Sequence, residues 1–211
     1  MQMIYWLITT SLIEENGEER KAQYTKAITD VVRRLAGTPI KVIIIENTGK
    51  TESFLDTLGA EVFYTTNNSI PAKNYGIKEI RDLLDCIDKY GIKDEDHVVK
   101  MTGRYFLSED CPFINEILCL NNKPYDVIIK YGWWEPSPRT PHADCITGLI
   151  CMRAKYIKQI RIPDVSDTTT CLEHRWAEAT LSIPQENVSS LTTLGIYINP
   201  GCYKNTIFFE V

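Results

Sequence analysis

The chain contains 211 residues, of which 44% are hydrophobic and 24% charged, and its formal net charge is -5. These values are typical of a single water-soluble domain with a substantial core. Nucleic acids and anionic membranes favour a basic partner, so we expect this acidic chain to bind neither. No apolar run approaches the roughly 18 residues of a membrane-spanning helix, so we expect no membrane insertion.

The cysteines number seven, and no two of them form a Cys-x-x-Cys pair. Zinc ligation and a disulfide framework are therefore both disfavoured. Reduced thiols are typical of the cytoplasm, where we expect the chain to act. Residues 3–12 are mostly apolar but lack a basic leader and a small-residue cleavage site, which predicts a first strand and not a signal peptide.

The first half of the chain alternates strands and helices. In chain order, we predict strands over 3–12, 41–47, 60–66 and 97–106, with helices over 18–37, 51–59 and 72–91 between them. This alternation is typical of an α/β fold with a Rossmann-like, mostly parallel central sheet of about six strands flanked by helices. The second half is less regular, with predicted helices at 111–122 and 168–183, strands at 125–134 and 195–211, and a strand running into a helix over 146–160.

The predicted carboxyl ends of the strands are polar. In an open parallel sheet, ligands bind beyond these ends. The relevant residues are Thr9, Thr10 and Ser11 after strand one, Glu46 and Asn47 after strand two, and Thr102, Gly103 and Arg104 after strand four. Such groups can bind a nucleoside or a phosphate. Neither the Gly-x-Gly-x-x-Gly pattern of dinucleotide sites nor the P-loop pattern is present, so neither class of site is expected.

Three of these motifs, in this order and spacing, resemble the GT-A-fold glycosyltransferases. They are the hydroxyl residues that end strand one, the Glu46–Asn47 turn that ends strand two, and the run 72–77 (Ala-Lys-Asn-Tyr-Gly-Ile) that opens a long helix. The late segment 147–153 resembles the acceptor-side strand of that family. The resemblance implies a single GT-A-like domain over 1–211, with a nucleotide-sugar-binding half at 1–110 and an acceptor-side half at 111–211.

The whole chain, including its length, also resembles a chlorella-virus (chlorovirus) glycosyltransferase domain. That resemblance implies a UDP-sugar donor, a glycan acceptor and a part in viral capsid glycan synthesis in the cytoplasm of an infected host cell. In the donor site it implies, Glu46 or the Asn47 amide would contact the uracil or the ribose. Lys73, Asn74 and Gly76 would meet the diphosphate at the start of a helix, where free N–H groups favour anions. The alternatives are an ordinary turn acid for Glu46 and a surface lysine for Lys73.

Strand four departs from the family pattern. It normally ends in Asp-x-Asp, which holds a divalent cation, Mn or Mg, against the donor diphosphate, but here Thr102, Gly103 and Arg104 occupy that place. We predict that Gly103 lets a ligand approach the backbone and that Arg104 replaces part of the metal's charge, with Lys100 as a second cation. A structural salt bridge is the alternative for Arg104. The literal Asp-x-Asp at 94–96 precedes the strand and is interpreted as a solvated turn.

Late residues supply the remaining candidates. A metal could be held by His142, Asp144 or His174 together with the phosphates. An inverting transfer needs a carboxylate that deprotonates the acceptor hydroxyl, and the family takes it from the start of a late helix, where Glu173 stands. Asp144 is the rival base.

Two tryptophans follow the predicted strand at 125–134. Trp133 and its neighbour Trp134 could stack on a sugar ring, because an indole face suits the apolar face of a pyranose. The alternative is that both belong to the core.

Two other functions stay open. A nucleotidyltransferase that makes nucleotide sugars would usually carry a basic, glycine-rich loop after strand one, whereas residues 9–20 are acidic and contain one glycine. A non-catalytic module that binds a nucleotide sugar would fit the loss of the Asp-x-Asp motif.

Overall fold

The computed structural model describes residues 2–13, 17–140, 143–199 and 208–211. Its strands are β1 (Ile4–Thr10), β2 (Ile40–Glu46), β3 (Glu61–Tyr64), β4 (His97–Thr102), β5 (Phe106–Leu107), β6 (Val127–Ile129), β7 (Leu149–Arg153), β8 (Val188–Ser190), β9 (Ile196–Ile198) and β10 (Phe209–Glu210). Its α-helices are α1 (Gly17–Leu35), α2 (Tyr75–Lys89), α3 (Pro112–Leu118), α4 (Ala154–Ile157) and α5 (Leu172–Thr180). Within these ranges, none of the helices combines the length and apolarity that crossing a bilayer requires.

The central sheet has the strand order β3-β2-β1-β4-β7-β6-β8. Neighbouring strands are parallel except at β7, which is antiparallel to both β4 and β6. The predicted fold class, a mostly parallel α/β sheet flanked by helices, is confirmed, with seven strands in place of about six. The added strand is β8, whose short sequence Val-Ser-Ser contains a single strand-favouring residue and so gives little strand signal. A second, three-stranded sheet joins β5, β9 and β10.

Two hydrophobic layers enclose the central sheet, as expected for parallel strands that are apolar on both faces. One layer packs α1 against the sheet, with Trp6 fully buried and its ring edge-on to Phe113 at 6.0 Å between centroids. The other layer packs α2 and α5 against the opposite face, around Ile43, Ile77 and Trp176. A short 3₁₀ turn at Phe54–Thr57, capped by Ser53, replaces the predicted helix over 51–59.

The strand directions bring several chain segments to one edge of the sheet. Because β6 runs in the direction of β4 and β7 runs against it, the carboxyl ends of β1, β2, β4 and β6 lie at the same edge as the start of β7. We call this the carboxyl edge. The starts of α2 and α5 meet beside it, since the Asn74 side-chain amide donates to the Thr170 carbonyl at 2.8 Å.

Candidate functional site

The hydroxyl groups that end β1 are used inside the protein. Thr9 Oγ1 donates to Glu79 Oε1 at 2.6 Å, and Thr10 Oγ1 donates to the Ile45 carbonyl at 2.9 Å. Both threonines are buried. Ser11 is half-buried, and its backbone N–H donates to the Tyr24 hydroxyl at 3.0 Å. The first turn after β1 is therefore held by protein groups, and of the three predicted residues Ser11 lies nearest to solvent.

Glu46 is fully buried at the end of β2. Its Oε1 accepts from the Leu12 N–H at 3.0 Å and from Thr48 Oγ1 at 2.8 Å, and the Thr48 N–H donates to its Oε2 at 3.1 Å. The carboxylate therefore joins the loops that follow β1 and β2. This position agrees with neither an exposed turn acid nor a direct contact with a nucleoside, because its oxygens are already occupied by protein donors.

Asn47 lies in a buried polar network with Asp82, a residue that the sequence analysis missed. The Asn47 amide donates to Asp82 Oδ2 at 2.8 Å, and Thr65 and Asn67 donate to Asp82 Oδ1 at 2.7 and 2.9 Å. Burial raises the pKa of the Asp82 carboxyl to about 6, because the three donors are neutral and offset only part of the desolvation cost. Asn47 Oδ1 is buried and has no hydrogen-bond partner among the described residues.

A buried ion pair lies beneath the end of β4. The Lys100 ammonium is 2.9 Å from Glu79 Oε1, and it also donates to Thr102 Oγ1 at 3.0 Å and to the Thr147 carbonyl. The Lys100 side chain is only 1% exposed. Its three protons are therefore used within the protein, so Lys100 shapes the floor of the carboxyl edge and is not placed to contact a diphosphate directly.

Gly103 lets the backbone at the end of β4 pack closely against β1. Its N–H donates to the Thr9 carbonyl at 2.9 Å. A Cβ added there would lie 2.9 Å from Thr10 Cγ2 and 3.0 Å from the Thr9 carbonyl oxygen, closer than real side chains come. The packing of β4 against β1 is therefore enough to explain the glycine, and the predicted contact between its backbone and a ligand stays a prediction.

Arg104 forms no ion pair with any described residue, so the structural salt bridge considered above is absent from the described part of the chain. Its guanidinium lies 5.7 Å from the centre of the Tyr105 ring. Burial raises the pKa values of Tyr105 and Tyr24, and the charge of Arg104 opposes the rise at both phenols. Arg104 is therefore half-buried beside Tyr105, just after the end of β4, and no carboxylate of the described residues forms an ion pair with it.

The start of α2 differs from the prediction in one respect. The helix begins at Tyr75, with Asn74 as its N-cap, so Lys73 precedes the cap instead of lying in the first turn. Lys73 is exposed. The Asn74 side-chain oxygen accepts from the Gly76 N–H at 3.0 Å. A Cβ on Gly76 would lie 2.8 Å from Leu172 Cγ, so this glycine lets α2 pack against the start of α5.

The late candidates meet at the carboxyl edge. An antiparallel bridge joins Tyr131 to Cys145, and this closes the loop between β6 and β7. Trp133 Nε1 donates to Asp144 Oδ2 at 2.7 Å. Trp133 is half-buried against the core, which leaves its ring partly accessible, whereas Trp134 is 62% exposed.

Glu173 lies in the first turn of α5, as the resemblance implies. The Cys171 thiol donates to its Oε2 at 2.9 Å, and the Cys145 thiol donates to its backbone carbonyl at 3.1 Å. Ligand atoms of Asp144, Cys171 and His174 lie within 4.8 Å of one another. The structure thus brings the predicted Asp144 and His174 together and adds Cys171, while the predicted His142 lies outside the described residues.

The family's divalent cation does not fit the end of β4. Residues 102–104 offer no carboxylate, and Lys100 already fills the space below them with positive charge. The literal Asp-x-Asp lies at the opposite edge of the sheet. There Asp94 is exposed and pairs with Lys158 at 2.6 Å, as a solvated turn predicts, but Asp96 is buried and accepts the backbone N–H groups of Met3 and Lys93, which corrects that interpretation.

Comparison with known proteins supports the fold. No protein-family model and no curated protein match the chain. Among solved structures, a Desulfovibrio desulfuricans protein named as a nucleotide-diphospho-sugar transferase aligns with TM-score 0.51 and 14% identity, over 90% of this chain and 80% of the other. A Bacillus anthracis protein named as a glucose-1-phosphate thymidylyltransferase aligns with TM-score 0.53 and 13% identity, over 89% and 86%. The Streptococcus pneumoniae glycosyltransferase GlyE aligns with TM-score 0.52 and 9% identity, over 90% of this chain and 45% of that one.

At such identities the similarity shows a shared fold. This fold is mixed α/β, with a seven-stranded, mostly parallel sheet, and it is similar to structures named both as glycosyltransferases and as nucleotidyltransferases.

Proposed function

We propose that this chain is a glycosyltransferase that binds a nucleotide sugar at the carboxyl edge and transfers the sugar to a glycan acceptor, with UDP as the nucleotide. One observation carries the proposal. Arg104, the starts of α2 and α5, and the carboxylates of Asp144 and Glu173 converge at the edge where ligands of open parallel sheets bind.

The donor diphosphate would lie against cations and helix starts. Arg104 has no carboxylate partner among the described residues, and a guanidinium can bind a phosphate through two hydrogen bonds. Lys73 is exposed just before the N-cap of α2, where the helix dipole favours an anion. We infer that these groups neutralise the leaving diphosphate in the place where the family uses Mn or Mg.

In the described part of the loop after β1, residues 11–13, two backbone N–H groups favour glycosyl transfer over nucleotidyl transfer. A nucleotidyltransferase must bind a triphosphate there, which requires backbone N–H groups that point at the phosphates. In this chain the Ser11 N–H donates to Tyr24 and the Leu12 N–H donates to Glu46. Nucleotidyl transfer remains the second candidate, because the thymidylyltransferase-like neighbour shares the fold.

Glu173 is our candidate for the base of an inverting transfer. It would take the proton from the acceptor hydroxyl while that oxygen attacks the anomeric carbon and the nucleoside diphosphate leaves. Asp144 is the rival base. Each carboxylate has one oxygen held by a protein donor, Trp133 Nε1 for Asp144 and the Cys171 thiol for Glu173, and we prefer Glu173 because it lies in the first turn of α5. Trp133 and Trp134 would flank the acceptor. A part in viral capsid glycan synthesis in a host cytoplasm depends on the resemblance alone and stays a prediction.

Calorimetric titration with UDP, GDP and CMP tests the donor site. We expect UDP to bind most tightly, to bind in the presence of a chelator, and to lose about 1–3 kcal/mol of binding free energy in Arg104→Ala. Arg33→Ala is the matched control, since Arg33 is exposed on α1 and pairs with Asp30 on the same helix. Equal affinity for the three nucleotides, or equal behaviour of the two arginine variants, would overturn the proposal.

Turnover distinguishes the three candidate functions. With a panel of UDP-sugars, we expect UDP release that Glu173→Gln abolishes while UDP affinity is kept. Release of pyrophosphate from a nucleoside triphosphate and a sugar phosphate would instead establish nucleotidyl transfer. Tight UDP binding without release of UDP from any donor would favour the non-catalytic module.

A further inference from the structure

We propose that Asp144, Cys171 and His174 form a binding site for a transition-metal ion of the zinc class. The oxygen, sulfur and nitrogen ligand atoms of these three residues lie within 4.8 Å of one another. In a tetrahedral zinc site the metal–ligand lengths are about 2.0–2.3 Å, which puts neighbouring ligand atoms about 3.3–3.8 Å apart. Small side-chain rotations are therefore enough to close the three atoms around one ion.

The Asp144 carboxylate gives a second, independent indication of a cation. Its Oδ1 is buried and has no hydrogen-bond partner among the described residues. Its Oδ2 accepts from Trp133 Nε1 at 2.7 Å. A carboxylate that is oriented by an outer hydrogen bond on one oxygen and left open on the other is the usual arrangement of a metal ligand. An unpartnered buried oxygen is otherwise costly, and a bound cation removes that cost.

The ligand types select the class of metal. A thiolate and an imidazole favour zinc and its neighbours in the first transition row, whereas Mg²⁺ prefers oxygen ligands alone. Three protein ligands also leave a fourth position for water or substrate, as in catalytic zinc sites. The sequence spacing disfavoured zinc because no Cys-x-x-Cys pair is present. A mixed set of donors from the loop between β6 and β7 and from the start of α5 needs no such pair.

Metal binding would release a proton from Cys171. Its thiol now donates to Glu173 Oε2 at 2.9 Å. The Cys171 S–H bond breaks, the sulfur binds the ion, and the proton goes to solvent. The Glu173 carboxylate and the Cys145 thiol lie beside the three ligands.

The test uses the full chain after dialysis against a chelator. We expect calorimetry to find one equivalent of Zn²⁺ that excess Mg²⁺ does not displace, and Co²⁺ to produce a thiolate-to-metal charge-transfer absorption. Cys171→Ser and His174→Ala should each weaken zinc binding by about 100-fold or more. Cys119→Ser is the matched control, because Cys119 is an exposed thiol on a different segment.

Two results would overturn the proposal. One is zinc binding in Cys171→Ser as tight as in the parent chain, with both proteins equally stable in urea. The other is a cobalt complex of the parent chain without the thiolate band, a measurement that needs no variant to fold. Zinc binding is measured in the absence of nucleotide, so failure of the UDP titration leaves this result intact and the reverse also holds.

Discussion

The ammonium of Lys100 lies 2.9 Å from Glu79 Oε1, directly beneath the end of β4. The Lys100 side chain is 1% exposed and that of Glu79 is 27% exposed. The pair therefore joins the central strand β4 to helix α2 at the floor of the candidate site. A third residue, Thr9, donates its hydroxyl to the same carboxylate oxygen at 2.6 Å and ties β1 into the network.

Removing the Glu79 charge should destabilise the fold more than removing that of Lys100. Glu79→Gln leaves a buried ammonium without a counter-charge, which costs about 3 kcal/mol of unfolding free energy. Lys100→Met costs less, because the half-exposed carboxylate regains water. Urea unfolding measures both, with Glu178→Gln as the control for an exposed ion pair, where we expect at most about 1 kcal/mol. Equal losses in Glu79→Gln and Glu178→Gln would contradict this account.

A methyl group at Gly103 should push β4 away from β1. The added Cβ would lie 2.9 Å from Thr10 Cγ2, and such overpacking costs about 1–3 kcal/mol. We expect Gly103→Ala to lower both the unfolding free energy in urea and the affinity for UDP. Gly17→Ala is the control, since a Cβ there meets nothing within 4 Å. If Gly103→Ala left both the unfolding free energy and the UDP affinity unchanged, the backbone would accommodate the methyl group without an energetic cost.

Asp82 should make the fold less stable as the pH rises. The pKa of its carboxyl is about 6 in the folded protein, compared with the ordinary value of 3.8 expected in the unfolded chain. The folded chain therefore holds this proton more tightly than the unfolded chain. The stabilisation is complete below the lower value and is lost as the pH rises through the higher one. The difference corresponds to about 3 kcal/mol at most.

Asp82→Asn should abolish that part of the pH dependence. The amide stays neutral throughout, and rotation of Asn47 can present its unpartnered Oδ1 to the new donor. Urea unfolding at several pH values between 4 and 7 compares the variant with the parent, and Asp88→Asn, exposed on the same helix, should behave like the parent. A parent-like pH profile in Asp82→Asn would assign the titration to another group.

Trp133→Phe should weaken zinc binding while keeping an aromatic side chain at this position. The change removes the Nε1 donor that holds Asp144 Oδ2, and loss of such an outer hydrogen bond typically costs about 10–100-fold in metal affinity. Trp134→Phe is the control, because Trp134 is 62% exposed and its ring meets Phe209 edge-on at 5.2 Å. Calorimetric titration with Zn²⁺ compares the three proteins. Equal zinc affinities of the three proteins would show that Trp133 does not orient Asp144 for metal binding.

The sequence predicted the regular elements where their signals are local. Apolar runs indicated β1, β2 and β4, and a buried stripe followed by a glycine stop indicated α1 and α2. It did not predict β8, in which Val188 alone favours a strand and which pairs with the edge of β6. Nor did it distinguish a 3₁₀ turn at Phe54–Thr57 from a short helix, since the two share the same capping residues.

Some residues of the candidate site could likewise be predicted from local sequence patterns, and others could not. The polar strand ends and the opening of α2 could be found from the sequence, because the carboxyl ends of parallel strands must meet at one edge of the sheet. Glu79, Asp82 and Cys171 were missed. On a helix or in a loop, such residues look like an ordinary solvated surface, and the pattern of neighbouring residues does not reveal what will cover them.

The sequence by itself determined the α/β class, the order of the first strands and helices, and the absence of the Asp-x-Asp motif from the end of β4. Only the tertiary structure decided what the polar residues do. It buried Glu46 and Lys100 with partners from distant segments, packed Gly103 against β1, and placed Asp144 beside Cys171 and His174. Local preferences are set by neighbours in the chain, whereas burial, ion pairing and metal ligation depend on contacts between residues far apart in sequence.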